Sequence, residues 1–200
     1  SGLVPVMLSY CMDKDRQVSQ MACFGVGACA KSFGDAFVPF VTDSLRQLAA
    51  VVSRGKDCDN AICAVGKILR FHASHVPAFQ DVLVRWISAL PLDTNASEAR
   101  TCHTLLLDFC ELYPDLLTSA QSTKILAILG AVVGTSLLEK RAAPRAQAVL
   151  RRLAQLVPQN VFSSLPPKHQ AAIQAFMAQS FEPSSGVVSP TSPVSPPRPQ

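Results

Sequence analysis

The sequence predicts an all-α solenoid, a right-handed stack of antiparallel helix pairs. Three observations predict it. Val38-Pro39 returns as Val76-Pro77 and Val26-Gly27 returns as Val65-Gly66, each after about 40 residues. Within each interval apolar residues recur at i, i+3, i+4 and i+7 in two runs, the pattern of two amphipathic helices. No alternation of strand type occurs anywhere in the chain. A two-helix unit of this length is of the HEAT type. Such a stack offers an extended surface and no catalytic pocket, so the sequence predicts a binding protein and not an enzyme.

The elements follow in order. Residues 1–34 read as a truncated repeat: Leu3 to Tyr10 form the tail of one helix, Asp13 to Arg16 a polar turn that caps the next, and Val18, Met21, Ala22, Gly25, Val26 and Cys29 one face of it. Residues 35–75 hold a complete repeat. Its stripes are Phe37, Val38, Val41, Leu45, Leu48, Ala49 and Val52, then Ala61, Ile62, Val65, Ile68 and Leu69. Residues 76–114 repeat the plan with Phe79 to Leu90 and Cys102 to Cys110, stopped by Pro114. Residues 115–158 pair a helix near 123–138 with one near 143–157. The segment 159–181 holds a C-terminal helix, roughly Pro167 to Gln179, with Pro167 in its first turn. Residues 182–200 are rich in Pro and Ser and read as a disordered tail of polyproline II character. One helix buries too little to offset the entropy of ordering it, so the pairs must stack. An interrupted stack leaves an adhesive apolar end near Leu3 to Tyr10. The chain begins with Ser1 in an apolar stretch and reads as the C-terminal part of a longer protein.

Composition narrows the function classes. The net charge of +4 permits an acidic partner but lacks the concentration that direct nucleic-acid binding requires. The seven cysteines include no CxxC pair and lie mainly on apolar helix faces, as free thiols of a reducing compartment do. The most apolar run, Ile125 to Leu138, falls short of the roughly 20 residues that span a bilayer, so no membrane insertion is expected.

Several motifs have a plainer structural reading. Gly25 to Ala30 spells GxGxxA, but lies within a helical stripe and not between a strand and a helix, so its small residues serve close packing. Gly66-Lys67 lacks the upstream glycine and the Ser/Thr of a phosphate-binding loop. Gly130 to Gly134 is a GxxxG that lets two helices approach. Cys58, Cys63, Cys102 and His103 lack the paired spacing of structural zinc, and no metal or other cofactor is expected. His72, His75, His103 and His169, with Ser74 and Asp108 in reach, read as surface or helix-end histidines and not as a triad. Arg141, Arg145 and Arg152 lie near one helix face and are the candidate partner-binding residues, suited to an acidic partner. In the tail, Ser189-Pro190, Ser192-Pro193 and Ser195-Pro196 have the form of proline-directed phosphorylation sites. Pro193 to Arg198 fits PxxPxR, a ligand pattern for SH3 domains.

Four ordered stretches carry a family likeness. Arg16 to Gly27, Asn60 to Phe71, Trp86 to Leu92 and Gln170 to Gln174 resemble the C-terminal region of the importin beta-3 group of karyopherin-beta nuclear transport receptors. The resemblance implies a HEAT-repeat receptor, found in cytoplasm and nucleus, that carries protein cargo through the nuclear pore and releases it on binding Ran-GTP. It also implies that Ran-GTP and nucleoporin contacts belong mostly to more N-terminal repeats. A general HEAT scaffold or regulatory subunit is the alternative reading.

Overall fold

The computed structural model describes residues 2–55, 58–118 and 120–180. The tail 182–200, with its phosphorylation and SH3-ligand patterns, lies outside the described residues. The described residues form ten α-helices and contain no strand: α1 (Leu3–Tyr10), α2 (Arg16–Ser32), α3 (Val41–Val52), α4 (Asp59–Phe71), α5 (Phe79–Ser88), α6 (Ala96–Leu112), α7 (Gln121–Val132), α8 (Ala143–Leu156), α9 (Gln159–Ser163) and α10 (Pro167–Met177).

The chain ends its helices where local chemistry dictates. Asp15 caps α2, its carboxylate accepting from the amides of Gln17 and Val18 at 2.8 and 3.3 Å. Asn95 caps α6 in the same way through Ser97 and Glu98. Pro114 follows α6 and opens a 3₁₀ turn, Pro114–Leu117. A second 3₁₀ segment, Gly34–Phe40, contains Pro39, so the sequence stripe beginning at Phe37 is part 3₁₀ and enters α-helix only at Val41.

Helices stack in chain order as a HEAT-type α-solenoid. One layer runs α2, α4, α6, α8, each packed on the next; the other holds α1 on α2, α3 and α5 on α4, and α7 against α5 and α8. The last helix, α10, closes onto α7 and α8. Helix α4 is the hub: eight of its thirteen residues are buried, so it has no amphipathic solvent face and depends on neighbours from both sides.

Bonds between units recur at about the repeat period. Asn60 Nδ2 donates to the Gln20 carbonyl 40 residues back, the Arg54 guanidinium to the Asp13 carbonyl 41 back, and His72 Nε2 to the Ala30 carbonyl 42 back. Asp59 accepts from the amide of Asn95, 36 residues on. Equivalent positions of successive units therefore sit side by side.

Small residues set the closeness of the layers. A Cβ on Gly27 would lie 3.0 Å from the Ala64 backbone, and one on Gly66 would lie 2.8 Å from the Trp86 ring. Gly130 meets His169 of α10 at 2.9 Å by the same measure. Its GxxxG partner does something else. The sequence predicts a helix through Leu138, but α7 ends at Val132, and Gly134 takes a left-handed turn with φ +74°. Of the histidines read as surface or helix-end, His72 does stand at the end of α4, buried and bonded to the Ala30 carbonyl, whereas His103 lies buried within α6, bonded to the Leu92 amide and the Leu137 carbonyl.

Candidate protein-binding surfaces

The layer α2–α4–α6–α8 is stitched by charge. Asp108 of α6 accepts from Arg70 Nε of α4 at 3.1 Å and from Arg145 Nη2 of α8 at 2.7 Å. Arg145 also grips Glu111 with two bonds, 2.8 and 2.7 Å, a bidentate guanidinium–carboxylate pair. Glu111, then Asp108, holds the Arg145 guanidinium well above its ordinary pKa against the opposing effect of burial. Arg70, Asp108 and Arg145 are 38 and 37 residues apart, one repeat period each. Further along, Lys67 Nζ sits 3.8 Å from Glu98 and 5.3 Å above the Phe24 ring. Glu98 Oε2 has no hydrogen-bond partner, so this pair is an electrostatic contact without a formed bond.

The opposite layer opens a groove. Helices α3 and α5 both rest on α4 and leave between them an apolar channel of about 290 Å³. Its walls include Leu45, Val52, Val65 and Val82, with Trp86 at the base. The Trp86 indole N–H donates to the Ile62 carbonyl at 2.9 Å, which fixes the ring. Arg85 stands exposed at the rim. The groove sets an apolar floor beside one exposed cation. Elsewhere Leu3, Val6 and Tyr10 of α1 are about half exposed, an apolar strip on the first helix.

Of the three arginines singled out in the sequence, Arg145 and Arg152 lie near one face of α8, seven residues apart, and Arg141 does not. Helix α8 begins at Ala143, so Arg141 lies before it, in the 3₁₀ turn Lys140–Ala142, and donates to Glu139. Arg145 is committed to Asp108 and Glu111. Arg152 is exposed on α8. Reading them as i, i+4 and i+11 assumed a helix running back through Arg141, and Pro144 at the start of α8 sets that helix's first turn instead.

The remaining candidates separate likewise. Cys63 and Cys102 are buried on neighbouring helices α4 and α6, whereas His103 turns away to Leu92 and Leu137, and the Cys58 thiol points to the Gly55 carbonyl. Asp108 is engaged by two arginines, and Ser74 pairs with His75 at 3.1 Å, so no triad forms among them. Among the described residues no three His, Cys, Asp or Glu side chains are grouped to hold a metal, and no helix is long and apolar enough to cross a membrane.

The sequence reading missed the groove and the ladder. The groove's signal was present in part, since Val82 sits at the edge of its helical stripe, whereas Val65 sits at the centre of its own. The ladder's signal was the equal spacing of Arg70, Asp108 and Arg145.

The sequence matches no family model. It is similar to a probable importin-5 homolog from Dictyostelium discoideum, 26% identical over 187 residues. The alignment takes in 86% of this chain and only 17% of the relative, so the chain spans less than a fifth of that protein's length.

Proposed function

We propose that this chain is a segment of terminal HEAT repeats in a nuclear transport receptor of the karyopherin-beta kind, in the manner of the importin beta-3 group. The carrying observation is the alignment to a probable importin-5 homolog over nearly the whole helical stack. The architecture supports the same reading. A ladder of ion pairs stiffens one layer, a groove opens in the other, and the described side chains do not converge on a catalytic constellation. The activity is binding: protein cargo is held in the cytoplasm and released in the nucleus by Ran-GTP, with nucleoporin and Ran-GTP contacts mostly in other repeats of the full-length protein. Within this segment Arg152 is the arginine of the three that remains available to a partner.

A pull-down from cell extract with the full-length protein, with and without Ran-GTP, tests the proposal. Partners lost on addition of Ran-GTP support it. Partners held equally well in both conditions favour a general HEAT scaffold instead and remove the transport reading.

A further inference from the structure

Where α7 turns back toward α8, the connection folds against α6 and leaves an open cleft of about 700 Å³ lined by Arg100, Gly134, Thr135, Ser136, Leu138, Glu139, Lys140 and Arg141. Three cations and one carboxylate line it. Glu139 is taken by Arg141. Arg100, half-buried on α6, and Lys140, exposed on the connection, have no hydrogen-bond or ion-pair partner among the described residues. A guanidinium carries five donors, and withdrawing it partly from water without an acceptor is unfavourable. The cleft therefore holds cationic donors with no internal acceptor to meet them.

Its other features suit a peptide. Leu138, buried at 7% exposure, gives the cleft an apolar patch. Ser136 presents an exposed hydroxyl. A Cβ placed on Gly134 would meet nothing within 4 Å, so the turn leaves room for an incoming backbone. The volume lies in the range of about 300–1,000 Å³ that bound ligands fill, well beyond one small inorganic anion. The net charge of the lining, three cations less one carboxylate, is too small for a polyanion that needs many phosphate contacts. No aromatic side chain lines the cleft to stack a base.

We propose that this cleft, between α6 and the α7–α8 connection, docks an acidic peptide segment of a partner protein: Arg100 and Lys140 receive its carboxylates, and Leu138 receives an adjoining apolar residue. Here Arg141 helps shape the cleft through Glu139 and does not act with Arg145 and Arg152. The proposal stands on the cleft alone and does not need the transport reading.

The test is fluorescence anisotropy on the full chain with a short fluorescein-labelled Glu-rich peptide containing one Leu. Saturable binding that weakens with added salt is expected. Joint substitution of Arg100→Glu and Lys140→Glu should weaken it about tenfold or more. Lys31→Glu, exposed in the last turn of α2 and outside the cleft, should leave it within about twofold. The milder pair Arg100→Gln and Lys140→Gln should weaken it in the same direction, with thermal melts showing each variant folded. Equal binding of a Gln-for-Glu peptide, no loss in the folded cleft variants, equal loss in Lys31→Glu, or displacement by single-stranded DNA at matched charge would each overturn the proposal.

Discussion

Arg145 of α8 donates to Asp108 of α6 across 2.7 Å, and through the same carboxylate α8 is joined to Arg70 of α4. One carboxylate thus couples three units. Arg145 is about a third exposed, so solvent reduces the strength of the pair, but its bidentate grip on Glu111 adds geometric definition. Arg145→Met should lower stability by about 1–2 kcal/mol in urea denaturation, and Arg145→Lys should not restore it, because an ammonium cannot reproduce the fork. An unchanged midpoint for Arg145→Met would show the ladder to be energetically silent.

Gly66→Ala places a methyl 2.8 Å from the Trp86 ring, which cannot retreat without breaking its bond to the Ile62 carbonyl. A loss of about 1–3 kcal/mol is expected. Trp86 is the chain's one tryptophan, so its emission should shift to the red in the variant. Wild-type emission and stability together would show that α4 and α5 can separate freely.

Buried Gln147 of α8 holds the end of α10. Its Nε2 lies 3.4, 3.3 and 2.8 Å from the carbonyls of Phe176, Met177 and Gln179. Gln147→Leu removes the donor and leaves those acceptors without it, a cost of about 1–3 kcal/mol. Hydrogen exchange should accelerate in α10 before it does in α4. Uniform acceleration along the chain would contradict this clamp.

His103 makes the fold sensitive to mild acid. Its Nε2 accepts from the Leu92 amide at 3.3 Å, so the proton sits on Nδ1, which donates to the Leu137 carbonyl at 2.8 Å. Burial holds its pKa below the ordinary 6.5, against the opposing effect of the Leu137 bond. Between the folded value and 6.5 the unfolded chain binds more protons, so stability rises with pH in that window. Its contribution is complete above pH 6.5 and falls as pH drops toward the folded value. Urea melts at about pH 7.5 and about pH 5.5 should show lower stability at the acid end, with the difference reduced in His103→Gln.

Thiol chemistry should be confined. Six of the seven cysteines are buried, Cys58 being the intermediate one, and burial pushes the Cys110 thiol up to about 12. Since the thiolate is the reactive form, Ellman's reagent should titrate Cys58 first and the others only on unfolding. Rapid reaction of several thiols in the native protein would mean that the α2–α4–α6 layer opens readily.

Much of the stack was legible because the period is a physical quantity. Equivalent side chains meet about 40 residues apart, and the dipeptides at Val38 and Val76 mark that distance. Gly27 showed in sequence as a small residue within a helix, where close packing uses it, whereas Gly66, weighed against a phosphate-loop pattern, did not. The connection after α7 was harder to read. The apolar run from Ile125 to Leu138 continues past Val132, but Val133 turns extended and Gly134 left-handed, which propensity along a line of apolar residues does not reveal. Arg141 was set on the face of a helix that begins only after it, at Ala143. Arg100 was missed for a related reason: its cleft is made by two segments that only the stacking brings together.

Because the bonds from Asn60 to Gln20, His72 to Ala30 and Arg70 to Asp108 each reach to an adjacent unit, the chain has modular grammar. Excising a whole period keeps each helix face toward a neighbour of its own kind, although the particular donors and acceptors at the new seam differ. Excising half a period sets each face against the wrong neighbour.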